Sequence, residues 1–314
     1  SMEHEYDKLT EFIASQLSTM QSNTALPVKM LPDEYTAIII YINGKKGIAV
    51  PYQSGKKFYA SFAAIEIEDI FIADRNGKSQ RVLFLNILDS KLNGDMINNF
   101  AGVCANFVNP GENGLERRKL LRDPESWWRH WCKLLGNMAI QEQVYSVVGE
   151  LMVWLYLLNN NVHPMWTGAK ETRHDFVAPG TSWEVKSTLS HNETRVTVHG
   201  VHQMHHGKEK LYLVFCRLEE SENGQSLNDL VQKLNARDID ETLIEKELGQ
   251  LGLRIGDIKR NVKYNCVEMR QYTVDESFPA ITPKSFKDDS IPSGIVNLTY
   301  QLDLSGLEYE LINI

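Results

Sequence analysis

His174-Asp175-Phe176-Val177-Ala178-Pro179-Gly180-Thr181-Ser182-Trp183-Glu184-Val185-Lys186 reads as a β-hairpin. Pro-Gly is turn chemistry, and the β-branched and aromatic residues after it have the composition of a strand. Side chains alternate along a strand, so Glu184 and Lys186 project to one face while Trp183 and Val185 project to the other. If Asp175 ends the first strand of the hairpin, its carboxylate falls beside that of Glu184. Two carboxylates so close repel each other and are tolerated best around a divalent cation. Mg²⁺ is commonly held by one or two carboxylates together with water and substrate phosphate. A lysine beside such an ion can orient or deprotonate water and balance charge on a phosphorane. These are the parts that phosphodiester hydrolysis needs.

Asp175, eight intervening residues and then Glu184-Val185-Lys186 resemble the PD-(D/E)XK signature of restriction-endonuclease-like nucleases, with His174 standing where the signature has proline. By itself this spacing is unspecific, because a half-exposed hairpin with its charges outward has the same letters. The flanking sequence adds to it. Ala139 to Asn159 carries the strongest helical pattern, with Val148, Leu151, Met152, Leu155 and Leu158 on one broad apolar face and Glu150 at its edge. A carboxylate buried there must be paired, protonated or metal-associated; the other reading is a solvated helix glutamate. Gly149-Glu150 before a long apolar run resembles the first helix of the restriction-endonuclease-like core, whose glutamate faces the metal site.

The order that follows is a short segment at His163 to Gly168, the Asp175 strand, the Glu184/Lys186 strand, Arg195 to Val201, a helical turn with Gln203, and Lys210 to Arg217. It matches the αβββαβ order of that core, and Leu211 to Phe215 is apolar enough for a buried last strand. Gly-Glu, Trp166-x-Gly168, His-Asp-Phe, Glu-Val-Lys, the Gln203-Met204 turn and Leu-Tyr-Leu-Val are also similar in order and spacing to an uncharacterised bacterial family of PD-(D/E)XK proteins. Its genes often lie beside restriction or phage-defence genes. The similarity continues through Phe278-Pro279-Ala280-Ile281 and Ile291-Pro292-Ser293-Gly294-Ile295.

The resemblance implies an α/β, overall α+β, chain that cuts DNA with a metal. Asp175, Glu184 and the Val185 carbonyl would hold Mg²⁺, with Mn²⁺ as a substitute, and Glu150 would complete the inner or outer shell. Lys186 would act on the attacking water, and Gln203 would hydrogen-bond the metal shell or the DNA. The implied partners are DNA, a second copy of the chain for double-strand cutting, and a methyltransferase or ATPase from a defence operon. The alternative is a catalytically silent subunit of a defence complex that uses the same fold to bind DNA or a partner.

Composition is ordinary for a globular protein, and the net charge of -8 argues against indiscriminate coating of nucleic acid. Basic against acidic residues number 10 and 13 over 1–115, 13 and 11 over 116–219, and 10 and 17 over 220–314. Only the segment with the motif is not acidic. Ser1-Met2 reads as a cloning remnant with no signal peptide after it, and the most apolar run, Val144 to Leu158, is too short to span a bilayer. Cys104, Cys132, Cys216 and Cys266 form no C-x-x-C pair and read as reduced, partly buried thiols of a cytoplasmic protein.

Three segments are expected: a mixed α+β domain over 1–112, the nuclease core over 113–219 and a helix-plus-strand extension over 220–314. The first should hold a helix through Leu9, Phe12, Ile13, Leu17 and Met20. Strands should follow at Thr36 to Ile42, Lys46 to Pro51, Phe58 to Ala63, Ile65 to Ala73 and Arg81 to Leu88, then a helix over Lys91 to Val108. The basic, aromatic run from Arg117-Arg118-Lys119 to Trp127-Trp128-Arg129-His130-Trp131 could grip a phosphate backbone. The favoured reading puts Trp127, Trp131 and Leu134 on a buried helix face with the cations in solvent. His199, His202, His205 and His206 could bind a transition metal, but they read as a solvent-edge turn around Gln203. The extension should begin with a helix through Leu227 to Leu234 and a second one capped by Asp238 with Glu241. A strand from Val262 to Val274 and a final one from Val296 to Leu304 complete it. Packing around the core or a protein-protein surface is its expected role.

Overall fold

The computed structural model describes residues 2–53, 56–62, 64–74, 76–134, 137–170 and 173–314, and only the backbone of residues 2–4, 95, 133–134 and 137–142. The chain forms two compact units, one of residues 1–137 with 256–258 and one of 138–255 with 259–314. This division differs from the expected boundaries at 112 and 219. The last strand of the expected core runs without a break to Gln225, and the segment after it supplies that strand's neighbour, so no separate third body forms.

In the first unit, α1 (Met2–Thr19) precedes β1 (Thr24–Pro27), β2 (Ile38–Ile42), β3 (Lys45–Pro51), β4 (Tyr59–Phe62), β5 (Ile65–Ala73) and β6 (Ser79–Leu88). The strands pair antiparallel in the order β1-β2-β3-β6-β5-β4. Asn43 and Gly44 both have positive φ, +52° and +74°, which is the turn geometry that joins β2 to β3 with the right twist. Ala63 and Arg75, in or beside expected elements, lie outside the described residues.

α2 (Gly94–Val108), α3 (Leu115–Arg122) and α4 (Pro124–Leu134) complete the unit. The aromatic run differs from its expected reading. Trp128 and Cys132 are buried in α4, whereas Trp127 and Trp131 are half-buried and share one acceptor, the Asn106 side-chain oxygen, at 3.2 and 3.0 Å. Each indole thereby keeps its N–H satisfied at the edge of the core. For Leu134 only the backbone is described. Arg117 is not a solvated cation either; it is 4% exposed and donates to the carbonyls of Thr36, Tyr35 and Val108.

The second unit opens with α5 (Asn137–Asn159), followed by β7 (Met165–Trp166), β8 (Phe176–Ala178), β9 (Thr181–Thr188), β10 (Arg195–His199) and β11 (Lys210–Gln225). After these come α6 (Leu227–Asn235), α7 (Glu241–Gln250), β12 (Tyr264–Thr273), β13 (Thr299–Asp303) and β14 (Glu310–Ile312). One sheet has the order β14-β12-β11-β9-β8-β7, with β9 and β11 parallel and the remaining pairs antiparallel. The turn between β8 and β9 is Pro179-Gly180, with Gly180 at φ +74°. Two departures from the expected core order appear. β10 leaves this sheet and pairs antiparallel with β13, and the connection from β10 to β11 is a series of turns without an α-helix. Residues 200–209 include Gly200 and Gly207 at φ +75° and +59°, which suits turns and breaks a helix. Asp240, not Asp238, caps α7, accepting from the Thr242 N–H at 2.9 Å.

β11 divides the unit's apolar interior. Val214, Cys216 and Leu218 face α5, α6 and α7, while Leu211, Leu213 and Phe215 face β10, β13 and Met204. On β9, Val185 shares the α5 side with Trp183. The helix seats there closely because of one residue. A Cβ on Gly149 would lie 2.0 Å from the Ser187 hydroxyl oxygen and 3.2 Å from its Cβ, so β9 and α5 approach at a point where only hydrogen fits. Gly149→Ala is therefore expected to destabilise the fold by about 1–3 kcal/mol, and Gly149→Ala with Ser187→Gly to recover most of that. Urea unfolding of the two singles and the double checks it; simple additivity would refute the close seat.

Candidate active site

β8 ends its pairing at Phe176 opposite Trp183, so one step further along the ladder Asp175 comes opposite Glu184. The two are tied reciprocally. The Val185 N–H donates to Asp175 Oδ2 at 2.8 Å, and the Asp175 N–H donates to the Glu184 carboxylate. A strand residue directs its N–H and C=O to the same side, so the Val185 carbonyl faces this same open edge of β9. Glu184 is 3% exposed. Lys186, two residues on and on the same face, lies 3.3 Å from Glu184 Oε1. Its ammonium also donates to Gln203 Oε1 at 3.0 Å, and that oxygen takes a second hydrogen bond from the His199 N–H at 2.9 Å.

Glu150 reaches the same edge from α5. Its Oε2 accepts from the Trp166 indole N–H at 2.8 Å, and the Trp166 ring lies 5.5 Å from that of Trp154. Glu150, Asp175, Glu184, Lys186 and Gln203 are thus brought into one neighbourhood by α5, the start of β8, β9 and the turns after β10.

The electrostatics of this neighbourhood are unfavourable. Burial pushes the Glu150 carboxyl well above its ordinary value, the charges of Asp175 and Glu184 push it further, and the Trp166 bond and Lys186 only partly offset them. Glu184 is likewise held well up, by burial first and by Asp175 second, with Lys186 opposing. Burial raises Asp175 too, against the Val185 N–H and Lys186. Two unit charges 4 Å apart repel by about 4 kcal/mol at an effective dielectric of 20, so one ammonium cannot hold three ionised carboxylates together. No group of three His, Cys, Asp or Glu side chains converges as a closed metal cage among the described residues. The set offers two carboxylates with a main-chain carbonyl on an open edge, which is the hard-oxygen, partly hydrated type that Mg²⁺ accepts.

The chain matches the family described as "Putative PD-(D/E)XK family member, (DUF4420)" over residues 3–305. The chain belongs to this family. No curated protein and no solved structure matches it. The family's description relates it to the PD-(D/E)XK superfamily, whose members are generally nucleases that use divalent metals, and Asp175, Glu184 and Lys186 have the spacing of that signature in the sequence. No helix among the described residues is long and apolar enough to cross a membrane.

Two residues of the site carry roles that the sequence pattern does not assign. Trp166 is visible there only as part of Trp-x-Gly, with nothing to say that its N–H holds Glu150. His174, in the place of the signature's proline, is buried, with the main chain of His202 and Gln203 against its ring. The departure from proline at this position was the available signal. Among the histidines, the rings of His202 and His205 lie 6.5 Å apart and those of His205 and His206 6.2 Å, with no metal-binding group of three among the described residues.

A carboxyl held above its ordinary value binds its proton more tightly in the folded than in the unfolded chain. The folded state therefore loses ground as pH rises from the ordinary value, 3.8 for Asp175 and 4.5 for Glu150 and Glu184, through the raised one. In chelator, the melting temperature of Asp175→Asn relative to wild type is expected to increase as pH rises from about 4 towards 8. A difference that is flat in pH would show that the three carboxyls do not strain the fold.

Proposed function

We propose that this protein is a metal-dependent DNA endonuclease acting in the cytoplasm in bacterial restriction or phage defence. The observation that carries the reading is the meeting of Asp175, Glu184 and Lys186 on one edge of β9 in a member of a PD-(D/E)XK family. Asp175, Glu184 and the Val185 carbonyl are the groups to hold Mg²⁺, or Mn²⁺ in its place. Glu150, tied to Trp166, stands as an outer carboxylate. The ion's contribution, when bound, is Lewis-acid charge at the scissile phosphate and a lowered pKa of water.

The chain's own groups do the rest. Lys186 donates to the attacking water and places positive charge beside the phosphorus as negative charge builds on its oxygens. Gln203 fixes the ammonium by accepting one of its protons, leaving others to aim at substrate. The water oxygen bonds to phosphorus and the bond to the 3′ oxygen breaks. The products are a 5′-phosphate and a 3′-hydroxyl that has taken up a proton. Cutting both strands needs two such centres, which a homodimer on DNA would bring; a methyltransferase or ATPase of the same operon is the remaining expected partner.

The alternative is a silent subunit that binds DNA or a partner without cutting. Incubation of supercoiled plasmid and of methylated and unmethylated phage DNA with Mg²⁺ or Mn²⁺ separates the two. Wild type is expected to cut, and Lys186→Ala and Asp175→Ala to lose at least 10²-fold in rate while keeping their fold, in line with the loss of a group that stabilises transition-state charge. Full activity in either variant would sink the assignment, and absence of cutting by wild type would favour the silent reading.

A further inference from the structure

The turns between β10 and β11 are more than a connection. Val201 and Met204 are buried, 4% and 1% exposed, and Met204 anchors the segment in the apolar layer beside β10 and β13. Gln203 ties it to Lys186, and the main chain of His202 and Gln203 lies against the ring of His174, the residue next to Asp175. Main-chain bonds from His205 to His202, from Glu209 to His206 and from Lys210 to Gly180 close the turns. A segment fastened at so many points holds its outer side chains in place at little further entropic cost.

Those outer side chains are three imidazoles and the ammonium of Lys208. His202 and Lys208 are exposed, and His205 and His206 are half-buried. The rings of His202 and His205 lie 6.5 Å apart and those of His205 and His206 6.2 Å, and burial first, then the charges of His206, His202, Lys284 and Arg173, hold the His205 imidazole below its ordinary value. Arg173 precedes the motif hairpin and Lys284 belongs to the stretch before β13; both are exposed. The acids bordering this face are Glu276, 3.5 Å from His206, and Glu209, whose charge reaches His174. Three separate stretches of an acidic chain, with net charge -8, thus bring Arg173, Lys208 and Lys284 to the imidazoles of the turn segment, whose Gln203 holds Lys186.

We propose that this face, formed by Arg173, His202, His205, His206, Lys208 and Lys284, seats the phosphodiester backbone that flanks the scissile phosphate in duplex DNA. The proposal rests on the nuclease reading for the location of the scissile phosphate. Cations on a fixed surface bind a polyanion by releasing its counterions, without reading sequence. Gln203 joins the seat to Lys186, so a backbone lying on it is delivered to the centre.

The test is binding of a fluorescein-labelled 30-base-pair DNA duplex, and of a duplex RNA of the same sequence, by the full chain in EDTA over 50–200 mM salt. Wild type, Arg173→Ala, Lys284→Ala, the double variant and Lys246→Ala, an exposed lysine on α7, are compared. The slope of log affinity against log salt on DNA is expected to flatten by about one for each of the two cations removed and to stay unchanged in Lys246→Ala. An unchanged slope in the double variant, or a change on RNA alone, would overturn the proposal, as would no binding by wild type. Plasmid cutting by wild type and Lys186→Ala decides the catalytic reading separately. A flattened slope with no cutting keeps the seat and removes the catalysis; cutting with an unchanged slope does the reverse.

Discussion

Three carboxyl groups crowd one edge of β9 with a single ammonium among them, and burial disfavours the charge on each. Glu150, Asp175 and Glu184 all hold their protons more tightly than free carboxyls do, from loss of water first, with mutual repulsion adding at Glu150 and Glu184. A fold selected for stability alone would put apolar or neutral groups there. The arrangement makes physical sense when a cation completes it, and perturbed groups of this kind concentrate at functional sites.

The architecture around this edge exists to hold the crowding in place. Pro179-Gly180 closes the hairpin in two residues, which fixes the register and sets Asp175 opposite Glu184. Gly149 lets α5 press on Ser187, so that Glu150, the next residue, reaches the edge from the helix side. A closed circuit of contacts runs from Asp175 to Glu184, Lys186 and Gln203, and through the main chain of Gln203 to the ring of His174, which is covalently next to Asp175. Loss of any member loosens the others, which is how a short segment keeps a lysine aimed in a repulsive setting.

Much of this is legible in the amino-acid sequence, because it is local. Strand alternation places Glu184 and Lys186 on one face, Pro-Gly marks the turn, and the apolar period of 139–159 marks the helix. What stays hidden depends on distant residues. β10 pairs with β13, about a hundred residues later, and nothing within Arg195 to His199 says that it will leave the main sheet. The short strands β1 and β14 have too few residues to show a period. Trp127 and Trp131 carry the spacing of a buried stripe, yet Asn106 on α2 draws both indoles to the edge of the core and leaves Trp128 inside. The partner of Glu150 is also distant: Trp166 lies outside the helix and only the fold brings it near.

On the proposed reading, Asp175 and Glu184 together hold a divalent cation. Isothermal titration of Mn²⁺ into metal-free wild type and Asp175→Asn, without DNA, tests it directly. Wild type is expected to bind Mn²⁺ saturably and to melt higher as the ion is added, as any ligand selective for the folded state requires, and Asp175→Asn to lose both effects. Equal binding by the two proteins, or none by wild type, would contradict it.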